Sequence, residues 1–347
     1  MLAAIQGRGG AFVGLLLLAI GIALPYVVYP VFAIQLVSFA LVAVSFDLLL
    51  GFTGLLSFGH AMFWGGSGYV ATILIAKAGW TSFPAAFGVA VLYAMVLSLA
   101  VGALAVRRSG IYFAMVTLGI AEIQYFLVFQ LQDLTGGENG VQVVTRGTLF
   151  GLSLENDRVF YYLALAIAVL GVLFAIRIVS SPFGAVLAAM RENEQRARSI
   201  GYDTNRFKLA AFVMSGTLAG VAGAMFAIGN RLSGLDGVDW HTSGKIVIMT
   251  ILGGIGTIFG PIVGAGMFES LEYYIPKLPA LTILGHTLTV GDKTDIVMGL
   301  IFATIILVAR RGIVGEILNR LLAPRKAPVE DEDDPDRMIA GPAPEAI

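Results

Sequence analysis

The sequence contains no cysteine, only three histidines and little charge. Its 347 residues include 22 Lys and Arg and 23 Asp and Glu, or 13% of the chain, whereas 57% are hydrophobic. The absence of cysteine excludes disulfides, thiolate catalysis and cysteine-based metal sites. The histidines, at positions 60, 241 and 286, are far apart and argue against a histidine-rich metal site. Since soluble domains carry about 25% charged residues, the composition indicates a protein surrounded by lipid.

Long apolar runs recur along the chain. A helix needs about 20 apolar residues to cross the hydrocarbon core of a bilayer. Nine segments qualify or nearly qualify: residues 11–28, 31–50, 60–76, 83–106, 111–131, 159–179, 209–228, 246–275 and 295–309. Glycines and a Gly-Pro pair interrupt the eighth segment, so we expect two short helices joined by a break there. The sequence predicts an all-α polytopic membrane protein of about 8–10 transmembrane helices, with glycine-broken or re-entrant segments in each half.

Basic residues cluster at four places beside the apolar segments. They are Arg8, the pair Arg107 and Arg108, the loop at 191–208 and the stretch that begins with Arg310 and Arg311. Positively charged loops remain in the cytoplasm, and counting crossings from an inside N-terminus places all four clusters there. We therefore expect both termini to be cytoplasmic.

Composition divides the chain into two parts. Residues 1–323 form the predicted transmembrane domain, with a polar cytoplasmic segment at about 183–207. Residues 324–347 are rich in proline and acid, with an acidic run at 330–334. Such a composition cannot bury enough apolar surface to fold, so we expect a disordered, solvated tail.

The longest polar interruption covers residues 191–201. It contains Arg191, Glu192, Asn193 and Glu194, and Gly201 suits a left-handed helix C-cap. Ser181 and Pro182 offer an N-cap and a first-turn proline for a short preceding helix. One interpretation is a basic loop that only sets topology. The other is a docking element for a cytoplasmic partner, which a transporter would need because the chain has no phosphate-binding G-x-x-x-x-G-K-[ST] loop.

Two glycine-rich segments, at 51–69 and 253–265, lie one in each half of the chain. Glycine allows close packing of membrane helices and also lets backbone unwind beside a transport pathway, so both interpretations stay open.

An acidic residue inside an apolar segment costs free energy, because its charge is removed from water, and therefore suggests a function. The alternative is a buried hydrogen bond to a neighbouring helix. The candidate pathway residues are Ser57, Gly59, His60, Gly253, Gly254, Gly256, Asp47 and Glu122. We expect Lys245, Glu269, Glu272 and Asp295 near membrane interfaces, where a side chain can extend its charged group into water, so that the charge costs little free energy.

Six segments together resemble the LivM-like permeases of branched-chain amino acid ABC transporters, which are inner-membrane components of binding-protein-dependent transport systems. They match in order and spacing over residues 31–318, at 51–69, 109–118, 135–141, 191–194, 208–216 and 253–265. Three positions depart from the family pattern. Arg310-Arg311-Gly312 stands in place of Pro-Arg-Gly, Asp47 stands where a neutral amide is more frequent, and Lys245 stands where an acid is common.

The resemblance implies one permease subunit of an ABC importer in a bacterial inner membrane, forming half of a pathway for leucine, isoleucine, valine or related small solutes. It implies a second, homologous LivH-like permease, a periplasmic substrate-binding protein and two cytoplasmic ATP-binding subunits. The chain would contact membrane lipid and no nucleic acid, and it would need no cofactor because the partners bind ATP. Residues Arg191, Glu192, Asn193, Glu194 and Gly201 would form the coupling segment that the ATPases contact.

Other functions remain as alternatives. Relatives of the family are thought to carry urea, short amides or carboxylates. An ion-coupled secondary transporter is a further alternative, because broken helices are typical of that class too. The run Gly65-Gly66-Ser67-Gly68 also matches the G-x-S-G motif of rhomboid proteases, which need a histidine-activated serine. Since short motifs arise easily in glycine-rich helices, we expect a transporter and not an enzyme.

Overall fold

Helices make up most of the chain in the computed structural model, which describes residues 8–277, 281–283, 286–288, 294–308 and 312–316. The helices are α1 Arg8–Val27, α2 Pro30–Thr53, α3 His60–Ala76, α4 Phe83–Ala105, α5 Ile111–Gln130, α6 Gln132–Thr135, α7 Asp157–Val179, α8 Pro182–Glu192, α9 Glu194–Ser199, α10 Thr204–Asn230, α11 Trp240–Gly253, α12 Gly260–Tyr274 and α13 Thr294–Val308. Three short 3₁₀ helices cover Gly137–Asn139, Leu235–Gly237 and Ile275–Lys277. The predicted acidic tail at 324–347 lies outside the described residues.

Short strands form three two-stranded antiparallel ladders in the described part of the chain. In the first, β1 (Val141–Gln142) pairs with β4 (Leu232–Ser233). In the others, β2 (Thr148–Leu149) pairs with β3 (Leu152–Ser153), and β5 (Leu281–Ile283) pairs with β6 (His286–Leu288). The β1–β4 ladder ties the loop after α6 to the segment that follows α10.

Five helices are long and apolar enough to cross a membrane: α2, α4, α5, α7 and α10. Within an 18-residue apolar window, 83% of α2 and 72% of α10 is buried inside the protein, against 28–33% for the other three. α2 and α10 therefore form the centre of the bundle, and α4, α5 and α7 leave apolar faces for lipid. The prediction of an all-α polytopic membrane protein is confirmed.

The central helix α10 approaches α3 and α4 backbone to backbone. A Cβ atom at Gly223 would collide with the backbone of Trp64 in α3, and one at Gly220 would collide with Ala94 in α4. Ser67 of α3 also donates a hydrogen bond to the Gly220 carbonyl at 2.8 Å. Because lipid is as apolar as the helices, close contact between small residues replaces the hydrophobic effect as the source of attraction.

Both glycine-rich segments interrupt helices. α2 ends with Gly54 in the left-handed conformation (φ 75°), and α3 begins only at His60. α11 and α12, of 14 and 15 residues, are separated by the break at 254–259. Each is about 21–23 Å long at 1.5 Å per residue, which is too short to cross a hydrocarbon core of about 30 Å. The predicted break within 246–275 is confirmed.

The first arm of this broken pair begins earlier than the sequence indicated. The apolar pattern started at residue 246, whereas α11 starts at Trp240. Asp239 is the N-cap, and its Oδ1 accepts a hydrogen bond of 2.7 Å from the backbone N–H of His241. The cap extends the helix by more than a turn into polar sequence that hydropathy alone assigns to a loop.

The polar segment at about 183–207 forms two short helices at one end of the bundle. Ser181 caps α8 by accepting a bond from Gly184 N, and Asn193 caps α9 by accepting one of 2.9 Å from Arg196 N. α9 closes with Gly201 at φ 97°, and Tyr202 N donates to Ala197 O, which completes a Schellman C-cap. The predicted N-cap, N1 proline and terminal glycine of this segment are all confirmed.

Two of the predicted basic clusters lie at the same end of the bundle. α4 ends just before Arg107, and a Cβ atom at Gly102 in its last turn would lie 2.8 Å from Leu209 in the second turn of α10. α10 starts directly after α9. The pair Arg107 and Arg108 and the 191–208 segment therefore share one end, as the charge pattern predicts for a common side of the membrane.

Candidate functional site

The two helix breaks meet each other at the end of the bundle that carries α8 and α9. Asp47, in the last turns of α2, accepts a hydrogen bond of 2.7 Å through Oδ1 from the backbone N–H of Gly256. A Cβ atom at Gly51 would lie 2.6 Å from that same Gly256 nitrogen. Asp47 thus satisfies a backbone donor that the break leaves free, and Gly51 provides the space for the approach.

Arg191 of α8 enters this junction from the polar segment. Its Nη1 donates a hydrogen bond to the carbonyl oxygen of Gly51, and its side-chain stem passes over Gly54. The same Nη1 lies 3.3 Å from the position of a Cβ atom on Gly256. We call Asp47, Gly51, Arg191 and Gly256 the glycine junction, because one side chain here joins α8 to both breaks.

Glu194 fixes α9 to the start of α10. Its carboxylate forms an ion pair of 2.7 Å with Lys208 and one of 2.8 Å with Arg198, and it accepts a bond of 3.1 Å from Thr204 Oγ1. Partial burial raises the pKa of Glu194, but the bond and charge of Lys208 outweigh this with help from Thr204 and Arg198, so the pKa lies below its ordinary value. The carboxylate therefore stays ionised and holds the two helices together.

The outward surface of α8 and α9 is formed by other residues. Glu192, Gln195, Arg196, Ser199 and Ile200 are exposed. Ile200 is an exposed large aliphatic side chain at the end of α9. Arg191 is exposed as well, but it bonds to Gly51, and Glu194 pairs with Lys208, so the segment combines an inner side that bonds to the bundle with an outer side that is free in the described part of the chain.

His60 takes part in a buried network at the start of α3. Its Nε2 lies 2.9 Å from Ser215 Oγ, and Ser215 Oγ donates to Ser45 O at 2.5 Å. Since a hydroxyl has one proton to donate, His60 Nε2 must be the donor in the first bond. Ser57 and Gly59 are local neighbours, with Gly59 N donating to Ser57 Oγ at 3.2 Å. The network connects α2, α3 and α10.

A cavity of about 490 Å³ opens at the opposite end of the bundle. Its wall includes Gln35 near the start of α2 and Asn230 at the end of α10. α10 has 27 residues and is therefore about 40 Å long, so the cavity lies far from the glycine junction. The volume falls within the roughly 300–1,000 Å³ of small-molecule sites.

The cavity combines an aromatic wall with charged groups. The ring of Trp64 packs 4.7 Å from that of Phe39 and 5.0 Å from that of Phe226. Glu269, which is 1% exposed, accepts a hydrogen bond of 2.6 Å from Gln35 Nε2. The charged lining residues are Asp236, Lys245, Glu269 and Glu272. Lys245 pairs with Glu272 across the two arms of the broken segment. No group of three His, Asp or Glu residues in the described chain is placed to bind a metal ion.

Comparison with known proteins identifies the family. The family model for the branched-chain amino acid transport system permease component matches residues 28–309. The chain belongs to this permease family. The match covers α2 to the last residues of α13, and thus the glycine junction, the two short helices and the cavity of the permease.

Curated relatives of the permease agree with this assignment. The high-affinity branched-chain amino acid transport permease LivM of Escherichia coli K12 is 30% identical over 253 residues, which are 65% of this chain and 59% of LivM. LivM of Salmonella typhimurium LT2 is 30% identical over 278 residues, 72% of this chain and 64% of the relative. The autoinducer 2 import permease LsrC of Photorhabdus laumondii is 32% identical over 146 residues, 38% of this chain and 43% of LsrC. The aligned part of this permease thus spans about 59–64% of the length of the two LivM proteins. No solved structure matches it.

The residues predicted from the sequence occupy different places. Asp47 and Gly256 meet in the glycine junction, Gly254 caps α11, and Gly253 packs on the backbone of Gly260 at the start of α12. Ser57, Gly59 and His60 lie together at the start of α3. Glu122 joins neither group, and its Oε1 is buried with no hydrogen-bond partner among the described residues. None of the eight candidates lines the cavity, so their role in a pathway stays a prediction.

Sequence reasoning missed the cavity residues. The sequence placed Lys245, Glu269 and Glu272 near the membrane interfaces, where a charge costs little free energy. In the structure Glu269 is almost fully buried. A signal was available. Glu269 and Glu272 are three residues apart, which places them on one face of a helix, and Lys245 lies on the other arm of the same broken segment. Gln35 carried no signal, because only the fold brings α2 beside α12.

Proposed function

We propose that this permease is one membrane subunit of an ABC importer in a bacterial inner membrane. It forms half of a pathway for branched-chain amino acids or related small solutes, and ATP hydrolysis in partner subunits drives transport. Membership of the permease family and the two LivM relatives support the class of transporter. The LsrC relatives import a different solute, autoinducer 2, by their name, so the solute rests on the LivM similarity.

The observation that carries the proposal is the insertion of Arg191 between the two helix breaks. A transporter powered by partners needs a rigid path from the partner surface to the helices that open and close. Arg191 lies on α8 and bonds to the end of α2, and Asp47 bonds α2 to the break between α11 and α12. A rigid-body movement of α8 would therefore displace α2 and the broken pair together.

The partner ATPases contact the outer side of α8 and α9. Polar, exposed residues such as Glu192 and Arg196 suit an interface that must separate and re-form, and Ile200 offers an apolar anchor. Arg191, Asn193, Glu194 and Gly201 also cap and brace the two helices. Of the five coupling residues predicted from sequence, Arg191, Glu192, Asn193 and Gly201 are exposed and available to the partner, whereas Glu194 is partly buried.

The orientation follows from the charges. With α8, α9, Arg107 and Arg108 in the cytoplasm, the cavity faces the periplasm. A periplasmic binding protein would deliver solute at that end, and a second, homologous permease would supply the other half of the pathway. The termini are cytoplasmic on this proposal.

The test is uptake by the reconstituted complex. The permease would be co-expressed with its candidate partner subunits and placed in proteoliposomes with labelled leucine and the binding protein outside. We expect uptake that requires ATP inside the vesicles and persists when ionophores collapse the proton and sodium gradients.

Two results would contradict the proposal. Uptake that stops on collapse of an ion gradient and ignores ATP would indicate a secondary transporter. ATP-driven uptake of urea, amides or carboxylates with no uptake of leucine, isoleucine or valine would keep the transporter class and overturn the solute.

A further inference from the structure

The cavity opposite α8 and α9 is lined by more acidic than basic side chains. Its described lining residues include three acids, Asp236, Glu269 and Glu272, and one base, Lys245. Lys245 is already paired with Glu272. Neither Asp236 nor Glu269 forms an ion pair with a described residue, and Glu269 accepts a hydrogen bond from Gln35.

Burial makes this imbalance costly. Glu269 is 1% exposed and lines the same cavity as the aromatic residues Phe39, Trp64 and Phe226. A buried acid without a cation either takes up a proton or is completed by a cationic ligand. If Glu269 served only to stabilise the fold, an apolar residue at this position would cost less free energy, because a single hydrogen bond to Gln35 does not replace the water that the carboxyl group has lost.

The aromatic wall is suited to the same kind of ligand. Phe39, Trp64 and Phe226 form one cluster, with the rings of Phe39 and Phe226 5.5 Å apart. Such faces bind compact apolar groups and attract cations through the ring quadrupole. The negative face of an aromatic ring does not attract an anion.

A second polar group on the wall is left without a partner. The hydroxyl of Ser233 is buried and forms no hydrogen bond with the described residues, and Ser233 is 5% exposed. Buried polar groups are nearly always satisfied. An unsatisfied hydroxyl on the wall of the same cavity as Glu269 indicates space for a polar ligand and is not explained by helix packing.

We propose that this cavity is a solute-binding site within the permease itself, and that it selects small solutes with a protonated amine next to a compact apolar group. The amine binds at Glu269, the apolar group packs on Phe39, Trp64 and Phe226, and a carboxylate, where the solute has one, lies near Lys245. The inference rests on the proposed transport function and adds that the membrane subunit discriminates among solutes independently of any binding protein.

Three isosteric ligands test the charge requirement on the wild-type protein. The complex in lipid nanodiscs, without the binding protein, would be titrated with leucine, 3-methylbutylamine and 4-methylpentanoate. We expect leucine and the amine to bind, and the carboxylate, which lacks the amine, to bind at least about tenfold more weakly, as removal of a charged hydrogen bond predicts. Equal binding of leucine and 4-methylpentanoate would overturn the inference.

A matched pair of variants locates the site. Glu269→Gln removes the charge while an amide oxygen can still accept the Gln35 bond, so the fold should persist. Glu138→Gln makes the same chemical change at an exposed position outside the cavity. We expect Glu269→Gln to weaken binding of leucine and the amine by about tenfold or more and Glu138→Gln to leave it unchanged. Unchanged binding in both variants would overturn the assignment to Glu269.

ATP-driven uptake measured on the same preparations separates the two proposals. If uptake depends on ATP but binding does not depend on the amine or on Glu269, the transport function stands and the cavity inference fails. If binding is amine-selective but uptake ignores ATP, the cavity inference stands and the proposed energy source fails. Trp64→Leu, which changes only the aromatic wall, supplies an independent check should Glu269→Gln not assemble: it should weaken leucine binding, and unchanged affinity would count against the site.

Discussion

Arg191 in α8 donates a hydrogen bond to the backbone carbonyl of Gly51 at the end of α2, across 140 residues of sequence. Gly51 in turn lies against Gly256, whose N–H binds Asp47. The polar segment is therefore attached to the bundle at the place where both broken helices end. Separate consequences follow for the inner and outer sides of this segment.

Replacement of Arg191 should uncouple the permease without releasing its partners. Arg191→Ala removes the bond to Gly51 but leaves the outer side of α8 and α9 intact. We expect ATP-driven uptake to fall at least about tenfold, since a charge-assisted bond is lost at the junction, while the ATPases still co-purify. Uptake assays and affinity purification on one preparation measure both properties. If Arg191→Ala takes up solute as well as wild type does, the glycine junction does not transmit movement from α8 to the bundle.

The outer side should behave in the opposite way. Ile200→Asp places a charge on the exposed apolar side chain at the end of α9 and touches none of the junction bonds. We expect weaker association with the ATPases and an unchanged melting temperature of the permease. If the ATPases co-purify with Ile200→Asp as well as with wild type, the contact surface lies elsewhere.

The close approach at Gly51 should tolerate no side chain. Gly51→Ala would place a Cβ atom 2.6 Å from Gly256 N, a contact that only a shift of backbone can relieve. We expect a loss of about 2–4 kcal/mol of stability. Gly88→Ala in α4, where nothing lies within 4 Å of the new atom, should be neutral or slightly stabilising. Thermal unfolding in detergent compares the two, and equal melting temperatures would contradict the junction.

Low pH should weaken the ion pair between Glu194 of α9 and Lys208 of α10. The pKa of Glu194 is lowered in the folded state, so the ion pair with Lys208 contributes fully above the unfolded value of about 4.5 and is lost as the pH falls through the folded value. At pH 7, Glu194→Gln should lower the melting temperature, because Lys208 is then buried without a carboxylate. The difference between variant and wild type should shrink at about pH 3.5. A difference that is the same at both pH values would exclude Glu194 as the titrating group.

A buried ion pair outside the apolar spans should matter more than an exposed one. The side chain of Arg146 is 2% exposed, pairs with Asp157 at 2.6 Å and donates to Gly229 O at 2.7 Å. Arg146→Ala should cost about 3–5 kcal/mol, because the buried Gly229 carbonyl and the partly buried Asp157 carboxylate both lose their partner. Arg206 pairs with Asp203 at 2.9 Å but is 87% exposed, and Arg206→Ala should cost at most about 1 kcal/mol. Chemical unfolding would measure both, and similar costs would contradict the assigned burial.

Much of the fold could be predicted because its signals are local. Apolar runs marked the long helices, and glycines marked the break between α11 and α12. Ser181, Pro182 and Gly201 marked the ends of α8 and α9. Boundaries failed where a cap outweighed hydropathy, as at Asp239, which starts α11 in polar sequence.

The candidate site was harder to predict from the sequence, because the residues that contact each other there are far apart in the chain. Asp47 was singled out as an unusual acid inside an apolar segment, but its partner Gly256 is 209 residues away. Arg191 was assigned to the ATPase-coupling segment, which stays a prediction, and its hydrogen-bond partner Gly51 is 140 residues away. Lys245, Glu269 and Glu272 were taken as interfacial because hydropathy reports position along the membrane normal and not the direction a side chain faces within a bundle.

The sequence by itself determined that this chain is helical, lies in a membrane and has two broken helices with a polar segment between long spans. These properties follow from hydropathy, glycine content and capping residues, which act within one or two helical turns. Only the tertiary structure decided that the breaks meet at Arg191 and that a charged, aromatic-walled cavity lies at the other end of the bundle. Both sites are made of residues from helices far apart in the chain, and packing of small residues, which carries no local signal of partner or direction, sets which helices become neighbours.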